Sequence, residues 1–143
     1  VPDIAEQIIV KAEDRVPYVY PDSRGFWTIG IGCLVDKRVQ GSGLCDAAIE
    51  AQFAHDSAKA RAFAAALPGY EGCNDVQRGV LVSMCFQLGS LEHWPDFRAA
   101  LAKGDFVTAA EAGLDSQWAK QTQVRAKWEM TMLQSGTFTE YPV

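Results

Sequence analysis

Long apolar runs are missing from this 143-residue chain. No stretch of about 18 apolar residues occurs, so no segment is expected to span a bilayer. A charged-then-apolar leader is missing as well. The chain opens Val1-Pro2 without methionine, which leaves room for an upstream segment. Cys-x-x-Cys pairs and Cys/His zinc spacings are absent. The two histidines, His55 and His93, stand far apart, and His55 reads as a solvated helix residue. No phosphate-cradling loop, dinucleotide fingerprint or nucleophile elbow is present. No metal and no cofactor is therefore expected. Positive charge is short too: 13 Lys and Arg face 18 Asp and Glu, for a net charge of −5. An acidic domain carries no electrostatic footprint for nucleic acid, so no nucleic-acid partner is expected.

What is present suits one globular domain. Hydrophobic residues make up 48% and charged residues 22%, enough to bury a core and too apolar for disorder. Four cysteines, Cys33, Cys45, Cys73 and Cys85, fit two readings: buried free thiols acting as small hydrophobes, or one or two disulfides. The cations Arg61, Arg78, Arg98, Lys103, Lys120, Arg125 and Lys127 lie mostly in the second half.

Hydrophobic period divides the chain. Asp3 with Glu6 forms a capping box, and Ile4, Ile8 and Ile9 follow at helical spacing, so a first helix is expected over 3–13, stopped by Pro17. Tyr18, Val19 and Tyr20 alternate, and 21–25 are turn residues. Residues 26–32, Phe-Trp-Thr-Ile-Gly-Ile-Gly, read as a strand. Gly30 and Gly32 share a face of it, suggesting close approach of a ligand or another backbone. Asp36-Lys37 is expected to turn into a short third strand. After the Gly41-Ser42-Gly43 loop, Asp46 caps a helix to about residue 66, with Ile49, Phe53, Ala60, Phe63 and Leu67 on its apolar side and Glu50, His55, Asp56, Lys59 and Arg61 on the polar one. Pro68-Gly69 ends it. Everything beyond reads as helices: one capped by Asp75 and carrying Val76, Val80, Leu81, Met84, Cys85 and Leu88, shorter ones punctuated by Pro95, Gly104 and Gly113, and a last one carrying Val124, Trp128, Met132 and Leu133. The expected class is α+β, with a small sheet lobe over about 14–45, a linking helix over about 46–66, and a helical lobe over about 70–143.

Glu13, Asp22 and Thr28 carry the chemistry this pattern suggests. Two carboxylates facing one cleft are what glycoside hydrolysis needs: one protonated to give a proton to the leaving oxygen, one ionised to activate water. Val16 and Tyr18 near Glu13 favour its protonated form, and the Thr28 hydroxyl can hold a water beside Asp22. Trp94, Trp118 and Trp128 are able to stack on sugars, although core packing suits Trp118 and Trp128 better.

Residues 12–34, Ala-Glu-Asp-Arg-Val-Pro-Tyr-Val-Tyr-Pro-Asp-Ser-Arg-Gly-Phe-Trp-Thr-Ile-Gly-Ile-Gly-Cys-Leu, resemble the phage-type lysozymes of glycoside hydrolase family 24. The Glu/Asp/Thr spacing and the Thr-Ile-Gly-Ile-Gly strand both match. Later stretches are similar as well: 86–89, Phe-Gln-Leu-Gly; 116–118, Ser-Gln-Trp, with Gln121, Thr122, Arg125 and Ala126; and 136–138, Gly-Thr-Phe, with Tyr141. The resemblance implies a two-lobed lysozyme-like fold with a three-stranded antiparallel sheet, the first helix belonging to the helical lobe. It implies a monomeric muramidase acting on peptidoglycan between N-acetylmuramic acid and N-acetylglucosamine, with inversion, made in a bacterial host's cytoplasm and working on the cell wall in the periplasm. Glu13 is implied as general acid, with Asp22 and Thr28 holding the water. Leu34, Phe86 and Gln87 are implied as substrate contacts, and Arg125 as the cation that orients Glu13. A lytic transglycosylase and a decayed wall-binding module are the alternatives on the same scaffold. The chain departs from the family pattern at Cys33, where a histidine is common and pairs with an acid at the position of Asp56. It departs also at Asp14, where glycine is usual, and at Ala100 and Ala112, which replace polar cleft residues.

Overall fold

The computed structural model describes residues 7, 16–31, 33–36 and 46–142, with 18, 33–36 and 46 given by their backbone alone. Gln7 is helical. The rest of the expected first helix, including Glu13, together with Asp14, Gly32 and the 41–43 loop, lies outside the described residues. The chain divides into two compact units, Val1–Gln52 and Phe53–Val143.

The first unit holds a three-stranded antiparallel sheet, β1 (Val16–Pro21), β2 (Trp27–Gly30) and β3 (Cys33–Asp36), in that order. Tyr20 pairs with Thr28 and Pro21 with Trp27, while Thr28 pairs with Leu34 on its other side. The β1–β2 turn closes through Gly25 N–H to Asp22 O at 2.9 Å and Asp22 N–H to Phe26 O at 2.8 Å. Gly25 sits at φ 79°, the left-handed residue that three-residue hairpins place after their turn.

Two strand expectations are corrected. β2 stops at Gly30 instead of running to residue 32, because Gly30 adopts φ 69°, outside the extended region. Glycine takes that φ without strain, and among the described residues nothing lies within 4 Å of where a Cβ on Gly30 would stand. The third strand ends at Asp36 instead of following Asp36-Lys37.

Among the described residues the second unit is built of helices, the first of which begins within the first unit. α1 (Asp46–Ala65) starts at Asp46 as expected and ends before Pro68-Gly69. Its buried stripe is Ala60 and Ala64, with Leu67 beyond the end; Ile49 and Phe53, expected on the apolar side, are exposed. A short 3-10 turn, Tyr70–Gly72, leads to α2 (Asp75–Leu88). Asn74, not Asp75, caps α2: its side chain accepts from Gln77 N–H at 2.9 Å, and the Gln77 side chain accepts from Asn74 N–H at 2.9 Å. The reciprocal pair satisfies two donors that a helix start leaves open, which Asp75 inside the first turn does not do.

α3 (Pro95–Ala102), α4 (Phe106–Leu114), α5 (Gln117–Gln121) and α6 (Gln123–Ser135) complete the unit. α6 packs against α2, α4 and α5. Its buried residues are Ala126, Glu129, Met130, Met132 and Leu133, whereas Val124 is exposed and Trp128 half-buried. Gly113 explains part of this. It lies inside α4, not at a joint, and a Cβ there would run into Met130 Sδ. The missing side chain lets α4 and α6 approach, and Met130 fills the gap. Leu91 holds a left-handed φ of 55° between α2 and α3, an unfavourable conformation for leucine that its burial in the core offsets.

Candidate active site

Asp22 occupies the β1–β2 turn, and its Oδ1 accepts two backbone N–H bonds, from Arg24 and from Phe26, each at 2.8 Å. This is an Asx-type arrangement, for which a short carboxylate in a tight turn is suited. The Phe26 N–H is the main reason that the Asp22 carboxyl lies below its ordinary value of 3.8; partial desolvation opposes it, and the Arg24 N–H and guanidinium add to the lowering. Asp22 is thus set as an ionised carboxylate. The Arg24 guanidinium stands 5.0 Å from the Phe26 ring centre, which braces the same turn.

Thr28 is 3% exposed, and its hydroxyl donates to the Phe26 carbonyl at 3.2 Å. That carbonyl also accepts the Asp22 backbone N–H, and the Phe26 N–H donates to the Asp22 side chain, so the backbone of one residue, Phe26, holds both side chains of the expected pair. Phe26 is the residue that sequence reasoning did not single out here. Its position after a turn glycine was visible, but its role depends on backbone groups that carry no residue signature. The Thr28 proton being committed, its oxygen is left to act as an acceptor. Leu34 is the β3 partner of Thr28, which brings three expected residues, Asp22, Thr28 and Leu34, onto adjoining strands and their turn. Glu13 lies outside the described residues.

The other expected residues belong to the helical unit. Phe86 is exposed and its ring lies 5.9 Å from that of Phe53, also exposed. Gln87 Oε1 accepts a hydrogen bond from Trp118 Nε1 at 2.8 Å, which fixes the rotamer of an exposed amide. Trp118 is buried and stacks edge-on against Trp94. Trp128 instead donates from Nε1 to Thr139 O at 2.9 Å and meets Tyr141, tying down the C-terminal stretch. Ala100 is buried in the core and presents nothing to a ligand; Ala112 lines a groove with Trp94, Asp96, Asp115, Gln117 and Trp118.

Arg125 is held from one edge. Its Nε donates to Glu129 Oε1 at 2.8 Å, and its Nη2 donates to the Ser83 hydroxyl at 2.9 Å and carbonyl at 3.2 Å. Ser83 Oγ also donates to Glu129 Oε1, at 2.7 Å. Glu129 is 1% exposed. A charge on the buried stripe, four residues after an arginine, was the available sequence signal for this pair.

Cys73 and Cys85 are free and buried. Burial pushes the Cys85 thiol up to about 11 and raises that of Cys73, which Arg78 partly opposes. Among the described residues no group of three or more His, Cys, Asp and Glu side chains is placed to hold a metal ion, and no helix is long and apolar enough to cross a membrane.

A comparison with curated proteins gives no match. A protein-family model described as Phage lysozyme matches residues 11–130.

Proposed function

The chain belongs to the phage lysozyme family, which makes it a peptidoglycan-degrading muramidase, and we propose that Glu13, Asp22 and Thr28 carry out its hydrolysis of the glycan strand. In this reading Glu13 protonates the glycosidic oxygen of the β-1,4 bond between N-acetylmuramic acid and N-acetylglucosamine. Asp22 draws a proton from a water on the opposite face of the sugar, and that water attacks the anomeric carbon with inversion. Thr28 accepts a hydrogen bond from the same water. Arg125 orients the Glu13 carboxyl, while Leu34, Phe86 and Gln87 contact the glycan. The observation that carries the proposal is the joint anchoring of Asp22 and Thr28 on the backbone N–H and carbonyl of Phe26, with Asp22 held in its ionised form. A carboxylate and a hydroxyl fixed together suit the holding of a water, which hydrolysis needs and transglycosylation does not.

The first helix is proposed to belong with the helical lobe, and the enzyme to act as a monomer on the cell wall, in the periplasm of a bacterial host. Product analysis of digested peptidoglycan tests the central reading. Parent enzyme is expected to release reducing N-acetylmuramic acid ends, and Glu13→Gln to release almost none. Anhydro-muramyl ends as the main product, or full activity in Glu13→Gln, would overturn it.

A further inference from the structure

A pocket of ≈ 380 Å³ lies between α2 and α6, and the lytic reading above makes no use of it. Val76 and Val80 of α2, Trp128 and Met132 of α6, and Phe138 give it apolar walls. Its size falls in the range of small-molecule sites, which are mostly apolar with a few placed polar groups. Phe138 is 66% exposed, so the pocket opens to the surface on that side. The stretch that carries Phe138 is held on either side of it: Asn74 Nδ2 donates to Gly136 O at 2.9 Å, and Trp128 Nε1 to Thr139 O at 2.9 Å. Two features point to an occupant. Glu129 lines the pocket and is 1% exposed. Its Oε1 accepts from Arg125 Nε at 2.8 Å and from Ser83 Oγ at 2.7 Å, whereas Oε2 is buried with no hydrogen-bond partner among the described residues. A buried acceptor left unmet costs free energy that a donor in the pocket would recover. Gly79, also on the lining, stands in the interior of α2, where glycine is less favourable than alanine. Among the described residues nothing lies within 4 Å of where its Cβ would stand, and the absent side chain leaves that room to the pocket.

We propose that this pocket binds a small neutral molecule made of an apolar body and one hydroxyl or N–H group, with the donor set against Glu129 Oε2. The apolar body follows from the walls, where removal from water drives binding. The donor follows from an acceptor that the fold buries and leaves open. Neutrality follows from Arg125, which already balances the Glu129 charge. A cation in the pocket would bring a second positive charge to the pair, and an anion would meet a carboxylate oxygen. Asp75, the other charged residue on the lining, is exposed, where water and salt screen it. Glu13, Asp22 and Thr28 play no part in this site.

The test uses benzyl alcohol as probe, titrated into the whole chain and followed by methyl NMR. Saturable shifts are expected at Val76, Val80 and Met132, with nuclear Overhauser contacts from the probe to the Met132 methyl and the Trp128 ring. Toluene, which has the same body and no donor, is expected to bind at least about tenfold more weakly. Benzylammonium and benzoate are also expected to bind more weakly than benzyl alcohol. Gly79→Leu fills the space beside α2 with a good helix former and is expected to abolish the shifts while the fold stays. Absence of saturable shifts in the parent overturns the proposal, as happens if solvent or the chain's own residues occupy the pocket. Equal binding of toluene, tighter binding of either ion, or unchanged binding in folded Gly79→Leu overturns it too. Should Gly79→Leu fail to fold, the contacts from the probe to Met132 and Trp128 in the parent decide the location, and their absence overturns it.

Discussion

Asp22 and Phe26 exchange two hydrogen bonds across the β1–β2 turn: Phe26 N–H donates to Asp22 Oδ1 at 2.8 Å, and Asp22 N–H donates to Phe26 O at 2.8 Å. The same Phe26 oxygen receives the Thr28 hydroxyl. A side chain bound to backbone on a short hairpin has little freedom to swing, which is the pre-organisation that water activation calls for.

Asp22→Asn is expected to separate charge from shape. The amide oxygen can still accept from Arg24 and Phe26, so the melting temperature should stay within a few degrees of the parent. Activity should fall by about 100-fold or more, the scale of a lost general base. Thr28→Val, which removes the hydroxyl but leaves the Phe26 carbonyl bonded to Asp22 N–H, should also lose activity at small cost in stability, and Thr28→Ser should retain most of it. Turbidity clearing and circular dichroism on purified variants check both; an active Asp22→Asn enzyme would remove Asp22 from the mechanism.

The acid limb of activity follows from the same turn. A carboxylate whose folded value lies below 3.8 stays ionised as pH falls, until that lower value is passed. If Asp22 must be ionised, activity should persist below pH 3.8 in the folded enzyme and then decline. Arg24→Ala removes one of the smaller lowering influences, so the limb should move slightly upward. Initial rates on a soluble peptidoglycan fragment, with folding monitored at each pH, measure it.

Cys73 and Cys85 should resist alkylation. Burial disfavours the thiolate in both, and Cys85 is pushed up to about 11. At pH 8 iodoacetamide should leave both unmodified in the native protein and label both in denaturant. Peptide mass mapping reads the two sites directly, and rapid native labelling of Cys85 would contradict its buried placement.

Gly113→Ala should destabilise the helical unit by about 1–3 kcal/mol, because the new methyl overlaps Met130 Sδ. Met130→Ala should cost about 2–5 kcal/mol by opening a cavity. Combined, the two should cost less than their sum, since the added methyl then enters vacated space. Urea unfolding of the four proteins gives the coupling; strict additivity would show that α4 and α6 do not meet at this pair.

Much of this was decided locally, by the amino-acid sequence. The turn at 22–25 follows from Asp22, Gly25 and their hydrogen-bonding and φ preferences, and the strand after it from β-branched and aromatic residues. Helix ends at Pro68-Gly69 and Gly136 follow from residues that cannot continue a helix or that accept a left-handed φ. The α+β class was legible for the same reason, because spacing along the chain carries period and turn chemistry; Glu13, Asp22 and Thr28 were singled out by the resemblance of residues 12–34 to phage-type lysozymes. Other features needed the tertiary structure, because they arise between groups distant in sequence or in groups without side-chain identity. The N–H and carbonyl of Phe26 join Asp22 to Thr28 through backbone atoms. Gly113 looks like a joint until Met130, from another helix, fills its missing side chain. Gly30 looks like a mid-strand residue until its left-handed φ is known. Glu129 looks like a solvated helix charge until packing buries it against Ser83 of α2, 46 residues earlier.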